Sequence, residues 1–278
     1  FSATNWLYRF FRASFFHCKN SITFFQIGIS SILVFMNLFK LILLYLLLFN
    51  HAHANTIYNL IKIPHLEIYE IKTPNKIRYL KAKQPFTIGI DNNINCYKSN
   101  KENLDKKYKI IKKNLDLYKT EFLKKINLKY VVLCEDLSIS GIKTAGIPNH
   151  KMKTLILDIK FNEKYFERVI HHEVFHIIND SFQEIFDQKI WSDFNKEKFK
   201  YADCSTCTNK IGLDTYPNTN GFITEYSKST ASEDMAEIFS HLMIKNIPEN
   251  SDPILKKKID FIRTKMALIS DNFSPFSQ

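Results

Sequence analysis

Ile170-His171-His172-Glu173-Val174-Phe175-His176-Ile177-Ile178 is the stretch from which fold and chemistry can both be read. It contains the pattern HExxH. On a helix, residues four apart project from one face, so His172 and His176 bring two ring nitrogens to one point. Glu173 lies beside them, placed to act as general base on water at that point. Phe166, Ile170, Val174, Ile177 and Ile178 form a separate apolar face, which predicts a helix over about 163–179. A chain of this length shows HExxH by accident on the order of once in a hundred. The plain alternative is a helix with two surface histidines. His171 points elsewhere and is given no ligand role.

A hydrolytic zinc site needs a third protein ligand and an open position. The extension HExxHxxGxxH is excluded, because Asn179 and Phe182 stand where it needs Gly and His. The remaining acids lie on a later helix, Ser229-Thr230-Ala231-Ser232-Glu233-Asp234-Met235-Ala236-Glu237. Glu233 and Glu237 share a face. Glu233 could bind zinc, and Glu237 could accept a hydrogen bond from a ligating imidazole. Thr230-x-x-Glu233 is equally a capping box, in which Glu233 only satisfies the helix N-terminus. The residues alone leave ligand and cap open, with Asp234 as a weaker ligand.

Outward from these segments, the pattern predicts strands at Phe86–Ile90, Tyr130–Cys134 and Lys153–Ile159, and a long helix over about 102–127. Turn residues mark 138–149, and 181–225 is loop-rich. Helices follow at about 230–245 and 253–270, the last opened by Asp252-Pro253. Strands precede helices, so an α+β domain is expected. Six glycines in 278 residues, with neither GxGxxG nor GxxxxGK[ST], exclude a nucleotide-binding phosphate loop.

Residues 1–54 hold no acid, and 22–49 are almost continuously apolar. Read from Met36, they form a secretory signal peptide, with Lys40, an apolar core from Leu41 to Phe49, and cleavage after Ala52-His53-Ala54. Residues 1–35 would then be upstream read-through. The other reading is a membrane span over 22–39 with the rest of the chain outside. The cleavage site favours the signal peptide. Both readings place a domain of residues 55–278 beyond the cytoplasm, secreted or periplasmic, or membrane-anchored with its catalytic part outside.

The net charge is +11, and ten lysines fall between Lys101 and Lys129 against four acids. Apolar residues from Leu104 to Ile126 recur there at helical spacing, so the lysines read as the solvated face of an amphipathic helix, and no nucleic-acid partner is expected. Membrane contact is expected only through the N-terminal segment where it stays uncleaved. Cys96, Cys134, Cys204 and Cys207 permit two disulfides. Cys204-Ser-Thr-Cys207 is half of a structural zinc site without a second pair, and a loop disulfide is the favoured reading.

The HExxH segment, then Trp191, Asn195, Phe199 and Tyr201, then Gly221-Phe222-x-x-x-Tyr226 and Glu233-Asp-x-Ala-Glu237, resembles the zinc-binding metallopeptidases of the gluzincin type. More distantly it is similar to the catalytic domain of anthrax lethal factor and to the Pro-Pro endopeptidases. The resemblance covers roughly 105–270. It implies a zincin-like domain with a small sheet, an HExxH helix and a C-terminal helical part. It implies one zinc ion on His172, His176 and Glu233, with Glu237 holding an imidazole and Tyr226 polarising the scissile carbonyl. Three features depart from the family pattern: the long interval from His176 to Glu233, the CxxC inside it, and the lack of a lipid-bearing Cys.

The expected activity is hydrolysis of protein or peptide substrates by a zinc-activated water, with Glu173 as base. The strand at Lys153–Ile159 is expected to be the sheet edge that receives an extended peptide. The first competitor is a non-catalytic zinc- or peptide-binding surface module of the same fold. An exported toxin shares the chemistry, and a lysine-rich binder of anionic surfaces ranks last.

Overall fold

The computed structural model describes residues 63–247 and 252–271, with Lys40, Phe273 and Phe276. The chain divides into two units, 1–56 and 57–278, and the second is described here. The expected targeting segment and its cleavage site lie outside the described residues. No helix among the described residues is long and apolar enough to cross a membrane.

The architecture is mixed α+β, as expected. Its organising element is β5 (Tyr130–Ile139), a strand of ten residues that belongs to two sheets in succession. Its first half lies between β2 (Arg78–Ala82) and β8 (Thr154–Asp158), parallel to both. β1 (Leu66–Glu70) and β7 (Gly146–Asn149) flank these as antiparallel edges. The second half of β5 pairs antiparallel with β4 (Ile94–Tyr97) and with the short β6 (Ile142–Lys143), and β3 (Phe86–Ile88) closes that side.

The apolar run Val131-Val132-Leu133-Cys134 is buried on both faces, as parallel strands at a sheet centre require. Alternation sends Val131, Leu133, Leu155 and Leu157 into the core beneath the helices. It sends Val132, Cys134 and Ile156 into a smaller core shared with Phe86, Ile88 and Ile94. Both disulfides form, Cys96–Cys134 between β4 and β5 and Cys204–Cys207 within a loop.

The helix expected over 102–127 is two helices, α1 (Lys101–Leu115) and α2 (Thr120–Lys125). The break turns Tyr118 inward, where its hydroxyl meets Nδ1 of His171 at 2.7 Å. The segment read as turns over 138–149 contains the end of β5, all of β6 and all of β7.

The predicted C-terminal helices stand as α3 (Glu163–Ser181), α5 (Ala231–Met243) and α6 (Pro253–Ile269), with a short α4 (Gln188–Ser192) in the loop-rich region. Their starts follow local chemistry. Asn162 caps α3, Thr230 caps α5, and Asp252 caps α6 with Pro253 in its first turn. α3 packs along α5 and under β7, which sets the HExxH turn against the acidic helix.

Candidate metal centre

His172 and His176 lie one turn apart on α3, and Glu233 enters from the first turn of α5. Nε2 of His172 is 2.8 Å from Oε2 of Glu233, Nε2 of His176 is 3.1 Å from the same oxygen, and the two nitrogens are 3.1 Å apart. The capping box is therefore half right. The Thr230 hydroxyl accepts from the Glu233 backbone N–H, while the Glu233 carboxylate turns to the imidazoles.

Behind this triangle the imidazoles are held in orientation. Nδ1 of His172 lies 3.0 Å from Oε1 of Glu237, and Nδ1 of His176 lies 3.3 Å from the Ser232 hydroxyl. Glu237 is itself fixed by the Thr224 hydroxyl, which donates to Oε2 at 2.8 Å, and Arg168 lies 3.8 Å from Oε1. With Nδ1 of His172 occupied by a carboxylate, Nε2 is the ring nitrogen that faces the centre.

Two nitrogens and a carboxylate oxygen facing one another at such separations call for a shared cation. Tetrahedral zinc, with bonds of about 2.0–2.1 Å, needs ligand atoms about 3.3 Å apart. The observed triangle approaches that size, and its three residues offer ligand atoms within 4.8 Å of one another. The residues fit zinc.

The electrostatics follow from burial and neighbours. Burial disfavours charge on His172, but hydrogen bonds to Glu233 and Glu237 outweigh it and raise its pKa to about 10. Burial pushes Glu237 up, and the His172 contact and Arg168 more than reverse this, leaving it at about 2. Glu173 is pushed above the ordinary carboxylate range by burial, partly offset by the two imidazoles. Tyr226 is on the same spot. Its ring centroid is 5.8 Å from that of His172, and burial with the Glu233 and Glu173 charges raises its hydroxyl pKa.

The family described as "Putative zinc-binding metallo-peptidase" matches residues 49–272. The chain belongs to this family. A crystal structure titled as a putative zinc-binding metallo-peptidase from Bacteroides caccae is 18% identical, covers 62% of this chain and 77% of that chain, and superposes with a TM-score of 0.39. No curated protein matches.

Two features of this metallo-peptidase family member were not legible in its sequence. Gly146, at the start of β7, lies against Glu173: a Cβ there would sit 2.6 Å from Glu173 Cγ. The edge strand beside the site is accordingly β7. The strand at 154–158, expected to be the edge, is enclosed between β5 and β7. Asp234 is the second. Far from being a metal ligand, its Oδ2 accepts from Trp191 Nε1 at 3.0 Å, Tyr201 hydroxyl at 2.7 Å and Lys258 Nζ at 2.6 Å. His171 is a satisfied core histidine, its Nε2 2.9 Å from the Asn114 side-chain oxygen.

Proposed function

We propose that this chain is a zinc-dependent metalloendopeptidase with a zincin-like domain of the gluzincin type, exported from the cytoplasm and acting on protein or peptide substrates. The observation that carries the reading is the convergence of His172 Nε2, His176 Nε2 and Glu233 Oε2, with Glu173 and Tyr226 at the same place.

His172, His176 and Glu233 would hold one zinc ion, which when bound polarises a carbonyl and acidifies water. Glu173 takes the proton of the attacking water and delivers it to the leaving amine. Its raised pKa suits both halves of that transfer. The Tyr226 hydroxyl, kept protonated by its surroundings, donates to the developing oxyanion. Glu237 holds His172 in the tautomer that leaves Nε2 free for the ion. β7 pairs on one side only among the described residues, so its other side can add an extended peptide as a further strand next to Glu173.

Zinc stoichiometry of the purified chain and digestion of a peptide library, compared with Glu173→Gln, test this reading. One zinc per chain with cleavage abolished by Glu173→Gln is the expected result. Bound zinc with no cleavage by either protein would establish the non-catalytic binding module instead.

A further inference from the structure

Glu233 and Asp234 are neighbours on α5, yet their side chains serve different clusters. Around Asp234 gather four residues that carry no hydrolytic chemistry: Trp191, Tyr201, Gly221 and Lys258. Lys258 and Asp234 are completely buried, and their ion pair is shielded from water by Trp191 and Phe222. The Lys258 ammonium stands 4.0 Å from the Phe222 ring centroid and 5.5 Å from that of Trp191. Its second hydrogen bond, at 2.8 Å, goes to the carbonyl of Gly221.

Gly221 is gripped on both sides by α6. Its N–H donates to Asp252, its carbonyl accepts from Lys258, and its φ of 88° with Ile254 against its α-carbon admits no side chain without strain. Five residues later the same segment delivers Tyr226. On the way it is tied once more, through the Thr224 hydroxyl to Glu237. Lys258 thus bonds both to the α5 turn carrying Glu233 and to the loop carrying Tyr226.

We propose that Lys258 is a positioning residue: by bridging Asp234 and the Gly221 carbonyl from α6, it sets Glu233 and Tyr226 in register with the HExxH turn. The proposal rests on the metallopeptidase reading for its consequence and on the hydrogen bonds alone for its geometry. It also accounts for Trp191, Tyr201 and Gly221 in the sequence pattern, since all three converge on this one pair. A charge pair with several satisfied partners fixes orientation more sharply than apolar packing of the same volume.

Lys258→Met strands the Asp234 carboxylate in the core, so the test is made on Asp234→Asn with Lys258→Met, which removes both charges and keeps the volumes. Amide hydrogen exchange is measured first, without added metal. Protection over 221–229 and 230–236 is expected to fall at least about tenfold, with 163–181 unchanged. Zinc affinity, by competition with a chromophoric chelator, is then expected to fall about tenfold to a hundredfold. Introduced into Glu233→Gln, the pair of changes should lower zinc affinity no further. Introduced into Tyr226→Phe and assayed at saturating zinc, it should lower turnover no further. Unchanged exchange in both segments overturns the proposal. So does lost protection with wild-type zinc affinity and turnover, which would make the pair structural only. A wild-type chain that binds no zinc overturns the metallopeptidase reading itself, before any variant is made, and the positioning role with it.

Discussion

Two polar clusters begin at adjacent carboxylates of α5 and are opposite in kind. At Glu233, an acceptor oxygen meets two imidazole nitrogens at 2.8 and 3.1 Å, and the nitrogens face each other. At Asp234, an acceptor oxygen meets an indole N–H, a phenol O–H and an ammonium, each with a proton to give. In the second cluster Oδ1 of Asp234 has no hydrogen-bond partner among the described residues, but the carboxylate charge is paired with Lys258 within the chain. The first sets three ligand atoms around one point that could hold a metal ion. Asp234 and Lys258 are fully buried, whereas His176 and Glu233 keep 17% and 12% of their side chains exposed, so access as well as partner chemistry separates the candidate metal site from a structural hub.

The sharpest way to separate them is Glu173→Gln. Turnover should fall by about 10²–10⁴-fold, as for loss of a general base, with zinc content and melting temperature unchanged. Lys258→Met should do the reverse in kind. It leaves a buried carboxylate unpaired, and a loss of about 3–5 kcal/mol in denaturant unfolding is expected whether or not zinc is present. Zinc itself should act through the first cluster. At about a hundred times its Kd it should stabilise the chain by about 2.7 kcal/mol, and a chelator or Glu233→Gln should abolish that gain.

His171, next to the HExxH motif, supplies a further contrast. Burial lowers its pKa to about 3, against 6.5 unfolded. The unfolded chain therefore binds the extra proton below pH 6.5, and stability falls as the pH drops from 6.5 towards 3. The loss should reach about 2 kcal/mol by pH 5, and His171→Gln should flatten that slope. The smallest change concerns Gly146→Ala, which crowds Glu173. A stability loss of about 1 kcal/mol is expected. Turnover should suffer more than stability, by about tenfold, because the base is displaced. Equal effects on melting and turnover would deny Glu173 its dependence on β7.

The helices that meet at the site were legible because each carries its own evidence within one turn: HExxH on an apolar-faced helix, Thr230 before Glu233, Pro253 after Asp252. The strand Tyr130–Cys134 was legible from its unbroken apolar run, and Lys153–Ile159 from its alternation. β1, β2 and β4 were not. β1 exposes Glu67 and Ile68, and β2 and β4 are short and mixed with Lys, Arg and Asn, so their identity comes from pairing with distant partners. The break after Leu115 hid for the same reason, since the inward Tyr118 meets partners far along the chain, His171 at 53 residues on and Phe273 beyond it. Asp234 looked like a spare acid because its donors lie 24, 33 and 43 residues away. Local chemistry is written locally, while proton bookkeeping between clusters needs the folded chain.

β5 has a consequence for how the molecule is made. Every described strand of both sheets pairs with it directly or through one neighbour, so neither layer can assemble in a nascent chain until residues 130–139 have emerged from the ribosome. Cys134 sits in that strand opposite Cys96, 38 residues upstream. Joining the two thiols removes about 4 kcal/mol of loop entropy from the unfolded ensemble. Oxidation thus reports that β5 has met β4, and a thiol-trapping pulse during refolding of the reduced chain would time it.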